Sequence, residues 1–236
     1  MYNQIRIEIY KCGKSMFFIF GFLVASVMLA VVNIFVHGRD ISGQQAMLGS
    51  LSDTSLLFIM ALFVSYFIGG DFTNRTIQNE IRIGYSRISV VLARIIVVLP
   101  LATLLYLFYS IPYTLMMGAA NGFAGNFAAW EVFSRVILFF VQVIAVLSFS
   151  ALIMFWCRKS SLSMMISVCF TVITCNILRG FLNDNAIFRV TSFYRIQMNS
   201  GAMTTQDILI SFISATVTIV VVLLATFIVF RKAELK

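Results

Sequence analysis

Charge is scarce in this chain of 236 residues: Asp, Glu, Lys and Arg together make up 11% of it, where a soluble globular domain carries about 25%. The acids avoid the apolar runs. Glu8, Asp40, Asp53, Asp71, Glu80, Glu131, Asp184, Asp207 and Glu234 all sit at or near their ends. An ion-coupled carrier places a carboxylate inside its bundle to bind the proton or sodium ion, so this distribution argues against that class. Histidine is rarer still, with His37 alone. A nucleophile–base pair or a histidine-ligated metal inside a membrane needs a His within a span, beside its partners. His37 falls in or beside a loop, so no catalytic residue, metal site or cofactor is expected. No G-x-x-x-x-G-K-[ST] occurs, which excludes a P-loop nucleotide site in this chain. The four cysteines, Cys12, Cys157, Cys169 and Cys175, form no C-x-x-C and read as free thiols.

What the chain has in plenty is apolar surface. Hydrophobic residues make up 61% of it, with 24 Phe and 12 Met, and the mean hydropathy is +0.98. A membrane span needs about 20 mostly apolar residues. The sequence predicts six, at about 15–36, 54–70, 90–117, 133–156, 162–179 and 207–230. The first run is longer than a signal h-region and is followed by no small-residue cleavage pattern, so it reads as a retained helix. The third is long enough to tilt or to extend past Pro112.

The net charge of +8 reflects topology rather than nucleic-acid binding. Basic residues of short loops stay in the cytoplasm. With the N-terminus inside, the cytoplasmic set is Arg6, Lys11 and Lys14; Arg75, Arg82, Arg87 and Arg94; Arg158 and Lys159; Arg231, Lys232 and Lys236. These are twelve of the 17. The expected fold is therefore an all-α integral membrane protein, a single domain over 1–236 with six spans, both termini cytoplasmic, multi-pass in the cell membrane.

Between the spans, residues 1–14 are amphipathic, with Ile5, Ile9 and Cys12 near one face and Arg6, Glu8, Lys11 and Lys14 on the rest; they predict an interfacial elbow helix. Residues 37–53 read as an outer loop, with Ser52 or Asp53 capping span two and Gly69-Gly70 ending it. Glu131 and Arg135 have ion-pair spacing. The turn 157–161 makes spans four and five a hairpin. The outer segment 180–206, with Phe181, Ile187, Phe188, Val190, Phe193 and Tyr194, is too apolar for a solvated linker; it predicts a surface helix or a re-entrant segment. Thr204 and Asp207 have capping-box spacing before span six. The neutral polar residues Gln142, Ser148 and Asn176 either line a mildly polar pathway or hydrogen-bond helix to helix. No internal repeat is visible, which weakens an inverted-repeat carrier.

The one long polar stretch between apolar runs is 71–87. Asp71 or Thr73 can cap a short helix running to Ile83, with Gly84 as its C′ residue. Arg75, Gln78, Asn79 and Arg82 fall on its outward side. Ser86 then caps span three, and Arg94 is placed to snorkel to the headgroups. This segment resembles the intracellular loop of type-2 ABC exporter permeases, in which an acidic residue four positions before Gly-Thr precedes an apolar-periodic stretch, Gly-x-Ser-Arg and a further basic residue. The matching residues are Asp71, Thr76, Gly84, Ser86, Arg87 and Arg94; Arg75 stands where Gly is usual, and Arg94 where Lys is common. The resemblance covers the layout of the whole chain and about 25 residues in motif.

The resemblance implies a permease subunit that exports a hydrophobic or amphipathic cargo, as in short permeases of antimicrobial-peptide immunity, bacitracin-type resistance or peptide secretion. It implies a second permease copy or a related permease as partner, and two copies of a separate P-loop ATPase that hold ATP and magnesium. The coupling residues would be Asp71, Arg75, Thr76, Ile77, Gln78, Glu80, Arg82, Gly84, Ser86 and Arg87, with Glu80 and Arg82 making polar contacts to the ATPase. An ATPase-binding sensor or resistance subunit that does not transport, and an ion-coupled carrier, are the alternatives.

Overall fold

The computed structural model describes residues 2–14, 24, 27, 31, 41–123, 125, 127–182, 185–201 and 203–231. The expected first span, the His37–Asp40 turn and the chain beyond Arg231 lie outside these residues, apart from three isolated helical positions. Among the described residues the secondary structure is entirely helical. It runs α1 (Tyr2–Lys14), α2 (Gly43–Ser52), α3 (Ser55–Thr73), α4 (Thr76–Arg82), α5 (Arg87–Asn121), α6 (Ala129–Cys157), α7 (Ser160–Val172), a π turn (Ile173–Ile177), α8 (Leu178–Leu182), α9 (Ala186–Val190), α10 (Ser192–Arg195), a 3₁₀ turn (Ile196–Ser200) and α11 (Thr205–Arg231). Five helices are long and apolar enough to cross a membrane: Leu56–Thr73, Arg87–Asn121, Trp130–Cys157, Ser160–Leu182 and Thr205–Arg231. They fit a membrane protein.

Each of these helices reaches beyond the apolar run that announces it. Helical hydrogen bonding continues through Ser, Thr and Gly once the neighbouring turns are fixed. α3 is the clearest case. Gly69 and Gly70 do not end it; the helix continues to Thr73. Gly69 is instead where α3 and α7 meet most closely: a Cβ there would lie 3.0 Å from the Ser160 Cα. Gly69→Leu is expected to wedge these helices apart and cost about 1–3 kcal/mol, read as a lowered thermal midpoint, with Gly70→Ala (open space around its Cβ position) as the tolerated control.

α5 has 35 residues and is about 52 Å long at 1.5 Å per residue, well over the ~30 Å hydrocarbon layer. It passes through Pro100 and Pro112 without ending. Its far part carries a small cap. Residues 43–52, expected as loop, are α2, begun by a Ser42–Gln45 capping box. Ser52 does not cap α3; its hydroxyl donates back to the Leu48 carbonyl, and Asp53 ends α2. α2 lies against α5 because both backbones are bare at the crossing. The Gly43 N–H donates to the Gly122 carbonyl at 2.9 Å, and a Cβ on Gly43 would meet the Gly118 Cα at 2.9 Å.

Segment 180–206, expected as a surface helix or a re-entrant segment, is a chain of short helical turns among its described residues. Ser192, Phe193, Tyr194, Arg195 and Ile196 are buried, and Phe193 packs on Phe149 and Phe170 at 5.3 and 5.8 Å. Phe188, Phe193, Tyr194 and Ile196 thus pack into the bundle, while Phe181 and Val190 stay exposed. The Arg195 guanidinium holds Asp207 at 3.0 Å, and Thr204 and Asp207 cap α11 reciprocally, as their spacing predicts. The core runs between α3, α5, α6 and α11 through Met60, Phe63, Tyr106, Phe139, Phe155 and Phe230. α11 packs on α6 and leaves most of its surface open.

Candidate functional site

α1, α4, the start of α5 and the end of α11 gather at one end of the molecule. α4 is a single isolated polar helix there, and its two ends show how the sequence stops and starts it. Asp71 and Thr73 do not cap it, because both are still in α3. The turn is made by Arg75, which adopts a left-handed conformation, φ 56° and ψ 19°. That conformation costs an ordinary L-residue about 1–2 kcal/mol and glycine nothing comparable. At the other end Gly84 has φ +104°. The Tyr85 N–H donates to the Glu80 carbonyl and the Gly84 N–H to the Ile81 carbonyl, at 3.2 and 3.1 Å. This is the paired C-terminal closure with Gly at C′, as the sequence predicts.

Below α4 lies the main surprise. Arg94 does not snorkel to a headgroup. It is fully buried, 0% exposed, and collects carboxylates from three other elements. Its Nε donates to Asp71 Oδ2 of α3 at 2.7 Å. Its Nη1 and Nη2 donate to the two Glu80 oxygens of α4 at 3.0 and 3.1 Å. Its Nη2 lies 3.6 Å from Glu8 Oε1 of α1. Lys11 closes the ring, 2.9 Å from Glu8 and 3.0 Å from Asp71. Five charged groups therefore tie α1, α3, α4 and α5 at one point. The planar fork of Arg suits this role better than Lys, since it meets one carboxylate with two parallel bonds and still has a third donor for another.

The expected contact role of Glu80 is accordingly corrected: its carboxylate turns inward, onto Arg94. Among the other expected coupling residues, Ile77 is buried in the core, Thr76 and Gln78 are half-buried, and Ser86 caps α5 by accepting from the Ser89 N–H. Arg87 donates to the last carbonyls of α11, Phe230 at 3.3 Å and Arg231 at 3.0 Å. Arg75 and Arg82 face outward, joined by Thr73, Asn74, Asn79 and Ile83; Ile83 is 77% exposed. The other expected site residues do not join this end. Gln142 and Ser148 are buried along α6, Ser148 donating to the Ala145 carbonyl. Asn176 is exposed in the π turn, where it accepts from the Thr54 hydroxyl at 3.3 Å.

α1 is amphipathic in the structure as in the sequence. Its protein-facing side is the polar one, with Gln4 and Glu8 buried, while Ile7, Ile9 and Tyr10 are exposed. The Ser89 hydroxyl donates to Gln4. Glu8 has one oxygen without a hydrogen-bond partner. Burial, and secondarily the Asp71 charge, push its carboxyl above the ordinary Glu value of 4.5, against the pull of Arg94 and Lys11. Burial works against the Lys11 charge, but Asp71 and Glu8 outweigh it and raise that ammonium above its ordinary value. A carboxyl with a raised folded-state value stabilises the fold on the acid side, and that stabilisation is lost as pH rises through the raised value. Glu8→Gln is therefore expected to flatten the decline in thermal midpoint above the ordinary carboxylate range. Midpoints of both proteins measured across pH check this; parallel curves would remove Glu8 as the source.

Glu8, Lys11 and Arg94 were not among the expected site residues. The available signal was Arg94 itself, a charge within the apolar run 90–117, which has to face protein partners. No protein-family model matches the chain, and neither does any curated protein.

Proposed function

We propose that the chain is the membrane-spanning permease subunit of an ATP-driven ABC exporter, with α4 as the helix that docks on a separate ATPase. One observation carries this reading. α4 offers Arg75, Asn79, Arg82 and Ile83 outward, while Glu80 fastens its inner side to Arg94. A push on the outer side is delivered to α1, α3 and α5 together, because all three hold the same guanidinium or its partners. A short helix serving only as a connector would not need that anchor.

In this reading two P-loop ATPases supply ATP and magnesium, and a second permease, identical or related, completes the pathway for a hydrophobic or amphipathic cargo. The basic residues place α1 and α4 on the cytoplasmic side of the cell membrane, with α1 as an interfacial elbow whose exposed Ile9 and Tyr10 meet lipid.

The test is purification of the tagged chain from its native membrane in mild detergent, assayed for ATP hydrolysis. A P-loop ATPase is expected to co-purify and to be lost from the triple variant Arg75→Glu, Asn79→Glu, Arg82→Glu, which leaves Ile77 and Glu80 in place. A stable wild-type preparation free of ATPase would overturn the reading.

A further inference from the structure

At the same end, the first turn of α5 and the last turn of α11 enclose a cavity of about 230 Å³ lined by Ser86, Arg87, Ile88, Phe227, Phe230 and Arg231. Its chemistry is divided. Each helix contributes one guanidinium, α5 adds the positive end of its dipole, and among the described residues the lining contains no carboxylate. The remaining wall is Ile88 and two phenylalanines. Arg87 donates to the Phe230 and Arg231 carbonyls, which offsets the negative end of α11 and fixes the guanidinium at the cavity mouth. α5 and α11 are antiparallel and each is long enough to span, so the cavity lies where two spans leave the hydrocarbon layer. Its size is informative. It exceeds several waters at ~30 Å³ each but falls short of the ~300 Å³ at which sites for whole small ligands begin. It suits part of a molecule whose remainder lies outside. From the cavity, Leu224 and Ile228 continue along α11 as an exposed apolar row, 55% and 58% open, directed toward the bilayer centre.

We infer that this cavity binds the phosphate of an anionic phospholipid, held by Arg87 and Arg231, with an acyl chain lying over Ile88 and the Leu224–Ile228 row. Arg suits the phosphate because it meets two oxygens at once. An acidic peptide would satisfy the guanidiniums but would leave the apolar row uncovered. The inference stands apart from any ATPase docking.

Native mass spectrometry of the detergent-purified chain, given equal phosphatidylglycerol and phosphatidylcholine, tests it. Wild type is expected to retain phosphatidylglycerol at least fivefold better, since each basic group near anionic lipid contributes about that factor. Arg231→Gln is expected to reduce this preference about fivefold. Ile88→Glu, which puts a carboxylate in the mouth without removing a hydrogen bond, is expected to abolish it, with helicity by circular dichroism unchanged. Equal retention of the two lipids by wild type, or a preference unchanged in both folded variants, would overturn the inference. So would displacement of the lipid by excess inorganic phosphate or by a polyglutamate peptide, which would assign the cavity to a free anion or to a protein segment.

Discussion

Arg94→Gln is expected to destabilise the protein by about 3–5 kcal/mol, the usual cost of removing one partner from a buried ion pair, and to lower its thermal midpoint in detergent by on the order of 10 °C. The loss is large because of what remains. Asp71, Glu80 and Glu8 converge on one guanidinium, and with it gone Lys11, itself partly exposed, is the only cation in the cluster. Arg94→Lys keeps the charge but offers one nitrogen where three now donate, so it recovers only part of the loss. The combination of Arg94→Gln with Asp71→Asn and Glu80→Gln is expected to be more stable than Arg94→Gln alone, because it removes the unpaired buried charges along with their partner. If Arg94→Gln shifts the midpoint by less than about 2 °C, the cluster does not hold these four elements together.

The parts of this architecture that were legible in the sequence are those set by local chemistry. Five of the six expected spans correspond to helices long and apolar enough to cross a membrane, the Gly84 closure and the Ser86 cap followed from residue type at fixed spacing, and the Thr204–Asp207 cap from a three-residue interval. Even within local reach some signals were passed over. Ser42 and Gln45 have capping-box spacing too, yet the surrounding Gly and Ser made 37–53 read as loop. Gly69-Gly70 read as a stop because glycine weakens helices, whereas Gly69 is there for the approach of α7.

What was hidden depends on which elements meet. Composition cannot say that the polar face of α1 turns inward. The pattern of residues 1–14 shows two faces but not which element the polar one meets, and Glu8 is held by Arg94, 86 residues later in the chain. The same holds for Glu80. On an isolated α4 it is one more surface acid beside Arg82; only the arrival of α5 beneath the helix distinguishes the two. The residues expected to act as one coupling set therefore divide into an inward group (Asp71, Ile77, Glu80) and an exposed one (Arg75, Arg82).

That division makes a sharp prediction about function. On the proposed permease reading, Arg82→Glu in a complex reconstituted with the co-purified ATPase is expected to reduce cargo-stimulated ATP hydrolysis at least tenfold while moving the thermal midpoint of the chain by no more than about 2 °C. The exposed side chain contributes little to the fold, and an acid in the last turn of α4 costs only about 0.3–1 kcal/mol against the helix dipole. A partner surface that complements a guanidinium, by contrast, meets a like charge, and like charges facing each other across an interface cost several kcal/mol. Glu80→Gln is expected to show the reverse order, with a clear loss of thermal stability and with ATPase still bound, because the outer face is untouched while its anchor is weakened. Binding by co-purification, hydrolysis and the unfolding midpoint, measured on both variants, separate the two duties. If Arg82→Glu leaves stimulated hydrolysis unchanged, Arg82 lies outside the interface. If the two variants lose stability and ATPase binding in the same proportion, α4 is only a brace, and the docking surface has to be sought elsewhere on this end of the molecule.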